Sequence, residues 1–422
     1  MKSQILPALL GLTAATVVLA KVSYDGAKAM RIPTGEDVTP VLDIVNKLSL
    51  ATWKGMANGV PVPNSHVDLV VPADKIDEFN QLVEGMTTEV MHEDLGLSIA
   101  EEGNFAPYTP GAANSTWFNS YHAYADHLQF LTDLTTAHPS QSEIVTAGNS
   151  NKGRAITGIH FWGSGGNGSK PAIVFHATVH AREWIATMVA EYFVYNLLTN
   201  YASSTEIKGF VDKYDFYIFP VVNPDGFVYT QTNDRLWRKN RQTNPSSSCV
   251  GRDINRNWPF HWSDTGGAST DPCEEDYRGA AEGDATENKA LLAYIDKLAA
   301  GKGVQLYIDI HSYSQLFMTP YGYSCTATVS NNAALQALAK STSAAIEAVY
   351  GTQYEYGPVC STIYKVTGGS VDYVDAVTGA KYVFTIELRD TGTNGFVLPA
   401  SQILPSSVET YAGFRNLLIN MT

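Results

Sequence analysis

Apolar residues along this chain fall into two rhythms. Short unbroken apolar runs at Pro171-Ala172-Ile173-Val174-Phe175, Phe216 to Val222, Val304 to Ile310 and Tyr382 to Ile386 predict buried strands. Between and after them, helical periodicity marks the stretches near 184–200, 284–299, 332–349 and 401–419. Strands alternating with helices in this way predict an α/β fold, a mixed central sheet sandwiched by helices. The first hundred residues read differently. Val67 to Val71 predicts a strand, while Leu42 to Trp53 and Ile76 to Met86 carry helical spacing, which together predict a small α+β unit. A turn-rich stretch, Gly103-Asn104-Phe105-Ala106-Pro107-Tyr108-Thr109-Pro110-Gly111, then separates this unit, residues 21–112, from a larger one, 113–422, whose first helix is expected near Trp117.

Composition narrows the possible partners and the compartment. A chain of 422 residues with formal charge −14 and no basic run is a poor nucleic-acid binder. Residues 1–20 combine Met1-Lys2, an apolar stretch to Leu19 and small residues at Val18 and Ala20, the pattern of a cleaved signal peptide. With that leader a secreted, extracellular protein is expected; no other run approaches a membrane span in length, and a monomer is expected. Four cysteines in an exported chain predict two disulfides, with three connectivities open. Asn114-Ser115-Thr116 and Asn167-Gly168-Ser169 are then candidate glycosylation acceptors.

The candidate chemistry lies at the ends of two predicted strands. His180-Ala181-Arg182-Glu183 follows the Ile173 run, and His311 closes the Val304 run, so all three potential ligands fall at strand carboxyl ends, where α/β proteins bind ligands. Two imidazoles and one carboxylate fill three positions of a tetrahedral zinc ion and leave the fourth for a water. His176 offers a rival spacing with His180, but the glutamate that such a helical pair requires is replaced by Ala177, and His176 reads as structural.

Further motifs follow in order: Asn233-Asp234-Arg235-Leu236-Trp237-Arg238-Lys239, Asp253-Ile254-Asn255-Arg256-Asn257-Trp258, His311-Ser312-Tyr313-Ser314-Gln315, Ile363-Tyr364-Lys365 and Phe384-Thr385-Ile386-Glu387-Leu388-Arg389-Asp390. Together with His180 to Trp184, this series resembles the zinc metallocarboxypeptidases of the pancreatic carboxypeptidase A type over roughly Asn114 to Thr422. The resemblance implies that His180, Glu183 and His311 bind one zinc ion, that Glu387 is the general base, and that Arg238 stabilises the oxyanion. It implies that Asn255 and Arg256 grip the substrate's terminal carboxylate, that Tyr364 closes over it, and that Arg182, Arg235 and Tyr313 belong to secondary subsites. Asp253 matches an acceptor that orients a zinc histidine. Cys249 is implied to pair with Cys273, which leaves Cys325 with Cys360. Each bridge is expected to stabilise by roughly 3 kcal/mol.

By the same resemblance Val371 forms the floor of the specificity pocket, with Met318, Gly322, Val359, Val366 and Thr385 as walls. Enzymes that release basic residues carry an aspartate at the floor, whereas a valine favours apolar or aromatic C-terminal residues of peptides and proteins. The 21–112 unit resembles an activation pro-domain. Residues 21–113 hold 6 Lys plus Arg and 14 Asp plus Glu, a net charge of 6 minus 14, or −8. That charge either complements the cationic cleft or serves solubility. Between Lys75 and Lys152 there is no Lys or Arg, so an activating protease of non-tryptic type is expected. The alternatives are an inactive module that holds peptide C-termini, which retention of Glu387 opposes, and a zinc deacylase, which Asn255, Arg256 and Tyr364 oppose.

Overall fold

The computed structural model describes residues 21–57 and 59–421, and the expected signal peptide lies outside them. Six strands belong to the N-terminal unit: β1 (Lys28–Pro33), β2 (Ala51–Lys54), β3 (Met56–Ala57), β4 (Val60–Pro61), β5 (His66–Val71) and β6 (Glu89–His92). The order β2-β5-β1-β6 makes an antiparallel sheet, and β3 pairs with β4. Helices Thr39–Leu48 and Ile76–Leu82 pack on the sheet through Val41, Ile44, Val45 and Phe79. The helical stretch expected from Leu42 to Trp53 is therefore two elements. Ser49 adopts the left-handed conformation (φ 47°) and ends the helix, and Ala51 begins a strand.

The larger unit is built on β7 (Ser142–Asn149), β8 (Ala155–Phe161), β9 (Ala172–Ala177), β10 (Asp215–Phe219), β11 (Val304–Ser312), β12 (Leu316–Thr319), β13 (Glu355–Pro358) and β14 (Tyr382–Leu388). Their order is β13-β12-β14-β11-β9-β10-β8-β7, parallel through β14-β11-β9-β10 and antiparallel from β10 to β8 and β7. This is the mixed sheet that the apolar runs predict. Its centre is buried on both faces, which is why those strands read as unbroken apolar runs and not as alternation. Helices Trp184–Asn200, Asn332–Tyr350 and Ile403–Asn420 form one covering layer. Helix Thr286–Ala300 lies on the other face, with Leu291 and Ile295 in a second core cluster. In place of a helix at Trp117, a short 3₁₀ turn covers Ser115–Asn119 and the α-helix runs from Tyr124 to Ala137. The cysteines pair as Cys249–Cys273 and Cys325–Cys360.

The small unit sits on the carboxyl edge of the large sheet. The Asp68 carboxylate accepts Arg31 within its own unit (2.6 and 2.7 Å) and the Tyr313 hydroxyl across the boundary (2.5 Å). Trp53 packs edge-on against Phe396, and His92 Nε2 meets the Asn394 carbonyl at 2.7 Å. Glu102 is fully shielded and accepts two hydrogen bonds from the buried Arg235 guanidinium. Of Arg182, Arg235, Arg238 and Arg256, only Arg235 meets a carboxylate of the small unit among the described residues. Arg182 pairs with Glu275, and Arg238 and Arg256 with Asp253. Charge complementarity therefore rests on one buried pair, and Lys54 of the same unit enters the cleft where its Nζ lies 3.4 Å from the Tyr313 carbonyl.

Candidate active site

His180 reaches its place through a tight turn after β9. Thr178 holds a positive φ of 55°, an uncommon conformation for a β-branched residue. It is secured there by its buried hydroxyl, which meets Thr187 Oγ1 at 2.6 Å and the Pro220 carbonyl at 2.9 Å. Three residues after His180, Glu183 occupies the N-cap position of helix Trp184–Asn200, an all-round apolar helix fixed in the core, without a side-chain cap hydrogen bond. His311 occupies the penultimate position of β11, one residue further along the strand than the apolar run indicates.

These three side chains converge. His180 Nδ1 lies 2.7 Å from Glu183 Oε1, His311 Nδ1 lies 3.0 Å from Glu183 Oε2, and the two Nδ1 atoms are 3.1 Å apart. One ligand atom from each lies within 4.8 Å of the others, and all three residues are buried. The outer nitrogens are engaged: His180 Nε2 with Asp253 at 3.1 Å and His311 Nε2 with Asp309 at 3.1 Å. With each outer Nε2–H donated to a carboxylate, both Nδ1 atoms keep a free lone pair beside an anionic oxygen. That donor set fits a divalent zinc ion.

Glu387 stands beside this cluster on β14. Its Oε2 is buried and has no hydrogen-bond partner among the described residues. Burial, aided by the Glu183 carboxylate, pushes its pKa up to about 7, while His311, Lys54 and Arg238 pull it down. Asp253 organises the opposite wall. Its carboxylate takes His180 Nε2, the Asn255 amide at 2.8 Å and Arg238 Nη2 at 2.7 Å. Although burial opposes it, the Arg238 and His180 charges hold Asp253 well below the usual carboxylate range.

One cavity is lined by His180, Arg238, Asn255, Arg256, His311, Tyr364 and Glu387 at one end and by Met318, Gly322, Val359, Val366, Val371 and Thr385 at the other. A β-carbon on Gly322 would come within 3.0 Å of Val366 Cβ and 3.3 Å of Val359 Cγ1, so this glycine keeps the apolar end open. Arg182, Arg235 and Tyr313 stand apart from the cavity. Arg182 lines the outer cleft beneath the small unit, Arg235 is held by Glu102 and by the Arg182 and Phe396 carbonyls at 2.8 Å, and Tyr313 is held by Asp68. His176 is buried with its Nδ1 3.0 Å from the Tyr307 hydroxyl, and burial lowers its pKa to about 4. Arg389 pairs with Glu409 and not with Glu387.

Sequence reasoning passed over Asp309 and Asp372. Asp309 sits two residues before His311 on the same face of β11, a spacing that could have singled it out. Asp372 lies in the cavity lining, where its carboxylate accepts the Gly322 and Tyr323 amides at 2.9 Å, and burial raises its pKa to about 7.

An open metal site at the carboxyl edge of a mixed α/β sheet, with a carboxylate beside it and a second unit across its mouth, defines a metallohydrolase made as a proenzyme. The chain belongs to the zinc carboxypeptidase family: residues 127–413 match the zinc carboxypeptidase domain, and residues 30–102 match the carboxypeptidase activation peptide. It is 50% identical over 410 residues to metallocarboxypeptidase A of Trichophyton rubrum, spanning 96% of both chains. It is 35% identical over 395 residues to carboxypeptidase A4 of Mus musculus, spanning 92% of this chain and 91% of the mouse protein. Among solved structures, thrombin activatable fibrinolysis inhibitor matches with a TM-score of 0.87 at 28% identity, covering 94% of this chain and 99% of that one. Carboxypeptidase A from Helicoverpa armigera matches with a TM-score of 0.78 at 26% identity, covering 93% and 97%.

Proposed function

We propose that this metallocarboxypeptidase is secreted as a proenzyme and, once its pro-domain is removed, releases apolar or aromatic C-terminal residues using one zinc ion held by His180, Glu183 and His311. The observation that carries the specificity is the apolar end of the cavity, Met318, Val359, Val366 and Val371 around Gly322. Burying a Phe or Leu side chain there contributes about 25 cal/mol per Å². Asp372 does not make the pocket basic-selective, because its carboxylate is engaged by two backbone amides and burial favours its neutral form. An N-terminal apolar segment and two disulfides support export to an oxidising compartment.

Arg256 and Asn255 take the substrate's terminal carboxylate, and the half-buried Tyr364 covers it. Arg238, oriented by Asp253, faces the scissile carbonyl oxygen and stabilises the negative charge that develops on it. Zinc, when bound, supplies a Lewis acid that activates the attacking water. Glu387 takes that water's proton and delivers it to the departing amine. We place the pro-domain at residues 21–112 and the catalytic domain at 113–422, with glycans at Asn114 and Asn167. The reading is tested by assaying processed protein on hippuryl-Phe and hippuryl-Arg with and without a chelator. Chelator-sensitive cleavage of hippuryl-Phe with little on hippuryl-Arg is expected, and the reverse preference, or activity that survives metal removal, would refute it.

A further inference from the structure

The zinc ligand His311 is oriented by a carboxylate of its own strand. Asp309 is fully buried on β11, two residues from His311 and on the same face, with Oδ2 3.1 Å from His311 Nε2. A second polar group also approaches that nitrogen: Asn255 Nδ2, at 3.3 Å. The two contacts are chemically unequal. Asn255 Oδ1 accepts the Ser370 backbone amide at 2.8 Å, and this fixes the orientation of the side-chain amide and turns its NH₂ group toward His311. An NH₂ group can only donate, so the acceptor for a proton on Nε2 is Asp309. With that proton in place, Nδ1 carries the lone pair that faces Glu183 and His180. The Ser370 hydroxyl donates to the same Asp309 oxygen, and Asp309 Oδ1 has no hydrogen-bond partner among the described residues.

Resting on the zinc reading above, we propose that Asp309 is the positioning residue for His311, the counterpart of Asp253 behind His180, and that Ser370 holds it in register with Asn255. A buried carboxylate behind the imidazole fixes the tautomer and ring orientation and raises the basicity of Nδ1. Loss of such a partner typically weakens metal binding 10- to 100-fold.

The test is zinc affinity measured on the full-length protein by competition with a chromophoric chelator, alongside the visible spectrum of the cobalt(II)-loaded form. Asp309→Ala is expected to weaken zinc binding by about 10- to 100-fold and to alter the cobalt bands. Asp309→Asn, which keeps an acceptor but not the charge, should fall between wild type and Asp309→Ala. Near-UV circular dichroism of the metal-free variants shows whether each is folded, and if Asp309→Ala is not, the isosteric Asp309→Asn carries the same test. A folded variant with wild-type zinc affinity and unchanged cobalt bands would overturn the assignment. Failure of the wild-type protein itself to bind zinc would instead bring down the reading of the whole site.

Discussion

His311 and Glu387 are register partners in the parallel pairing of β11 with β14. A proposed zinc ligand and the proposed proton shuttle are thus set side by side by sheet hydrogen bonding, on two largely buried strands. Rigid strands hold such a constellation more precisely than loops do.

That division of labour separates binding from turnover. Glu387→Gln keeps the shape and removes the proton acceptor, so it should bind one equivalent of zinc and still hold a peptide C-terminus while losing essentially all activity. Metal analysis and single-turnover assays on the variant check this, and near wild-type turnover would exclude Glu387 as the shuttle.

Arg238 is predicted to act as charge develops. Arg238→Ala should lower kcat by about 10²- to 10³-fold, roughly 2.7 to 4 kcal/mol, with a smaller change in KM. Steady-state kinetics on a C-terminal Phe substrate distinguish this from a ground-state role, in which KM alone would rise.

Specificity is predicted to turn on the pocket floor. Val371→Asp places a carboxylate with no partner against the apolar walls, so cleavage after removal of the pro-domain should shift from C-terminal Phe and Leu toward Arg and Lys. Competition assays on matched peptides read the ratio, and an unchanged preference would show that Val371 does not contact the departing side chain.

Activation is predicted to avoid basic residues. The stretch from Gly103 to Ala113 has no Lys or Arg, and it is less free than its composition implies. Phe105 packs on Trp184, Tyr108 on Trp117, and Asp133 takes the Tyr108 hydroxyl and the Gly111 amide at 2.7 and 2.6 Å. A protease that selects aromatic or small residues should still find exposed bonds around Asn104, Ala106 and Ala112, and N-terminal sequencing of the active form should give a start between about Asn104 and Trp117. A start just after Lys75 would contradict this.

Docking of the small unit supplies a fifth prediction. Glu102→Gln leaves the Arg235 guanidinium buried without its counter-charge, a change that typically costs about 3 to 5 kcal/mol. Full-length protein carrying it should hydrolyse hippuryl-Phe faster than the wild-type proenzyme, whereas the processed enzymes should be equal. Equal rates before processing would show that the Arg235–Glu102 pair does not hold the cleft closed.

The parts legible in the sequence are those with a strong local cause. Strands buried on both faces, such as Val304–Ser312, announce themselves as apolar runs, and the long helices as 3.6-residue periodicity. The end of the helix at Leu48 is harder to read, because its left-handed cap is a serine and no glycine marks the stop. The edge strand Ser142–Asn149 is half exposed and polar, and β13, Glu355–Pro358, is four residues long, so neither carries a readable pattern. Side chains around the cavity are legible through ordered motifs. What the motifs could not convey is that Arg182, Arg235 and Tyr313 are held by the small unit and its neighbours, since those partners lie far away in sequence: Asp68, Glu102 and Glu275.

The 128-position separation between Glu183 and His311 carries a last consequence. One proposed ligand is fixed at the start of a helix and the other near the end of a strand, and they meet only after β9 and β11 have paired in register. No short stretch of chain contains the proposed set, so binding of the ion would report on long-range assembly. On the proposed ligand set, a copy whose sheet has failed to close would have nowhere to keep zinc and could not cut a peptide.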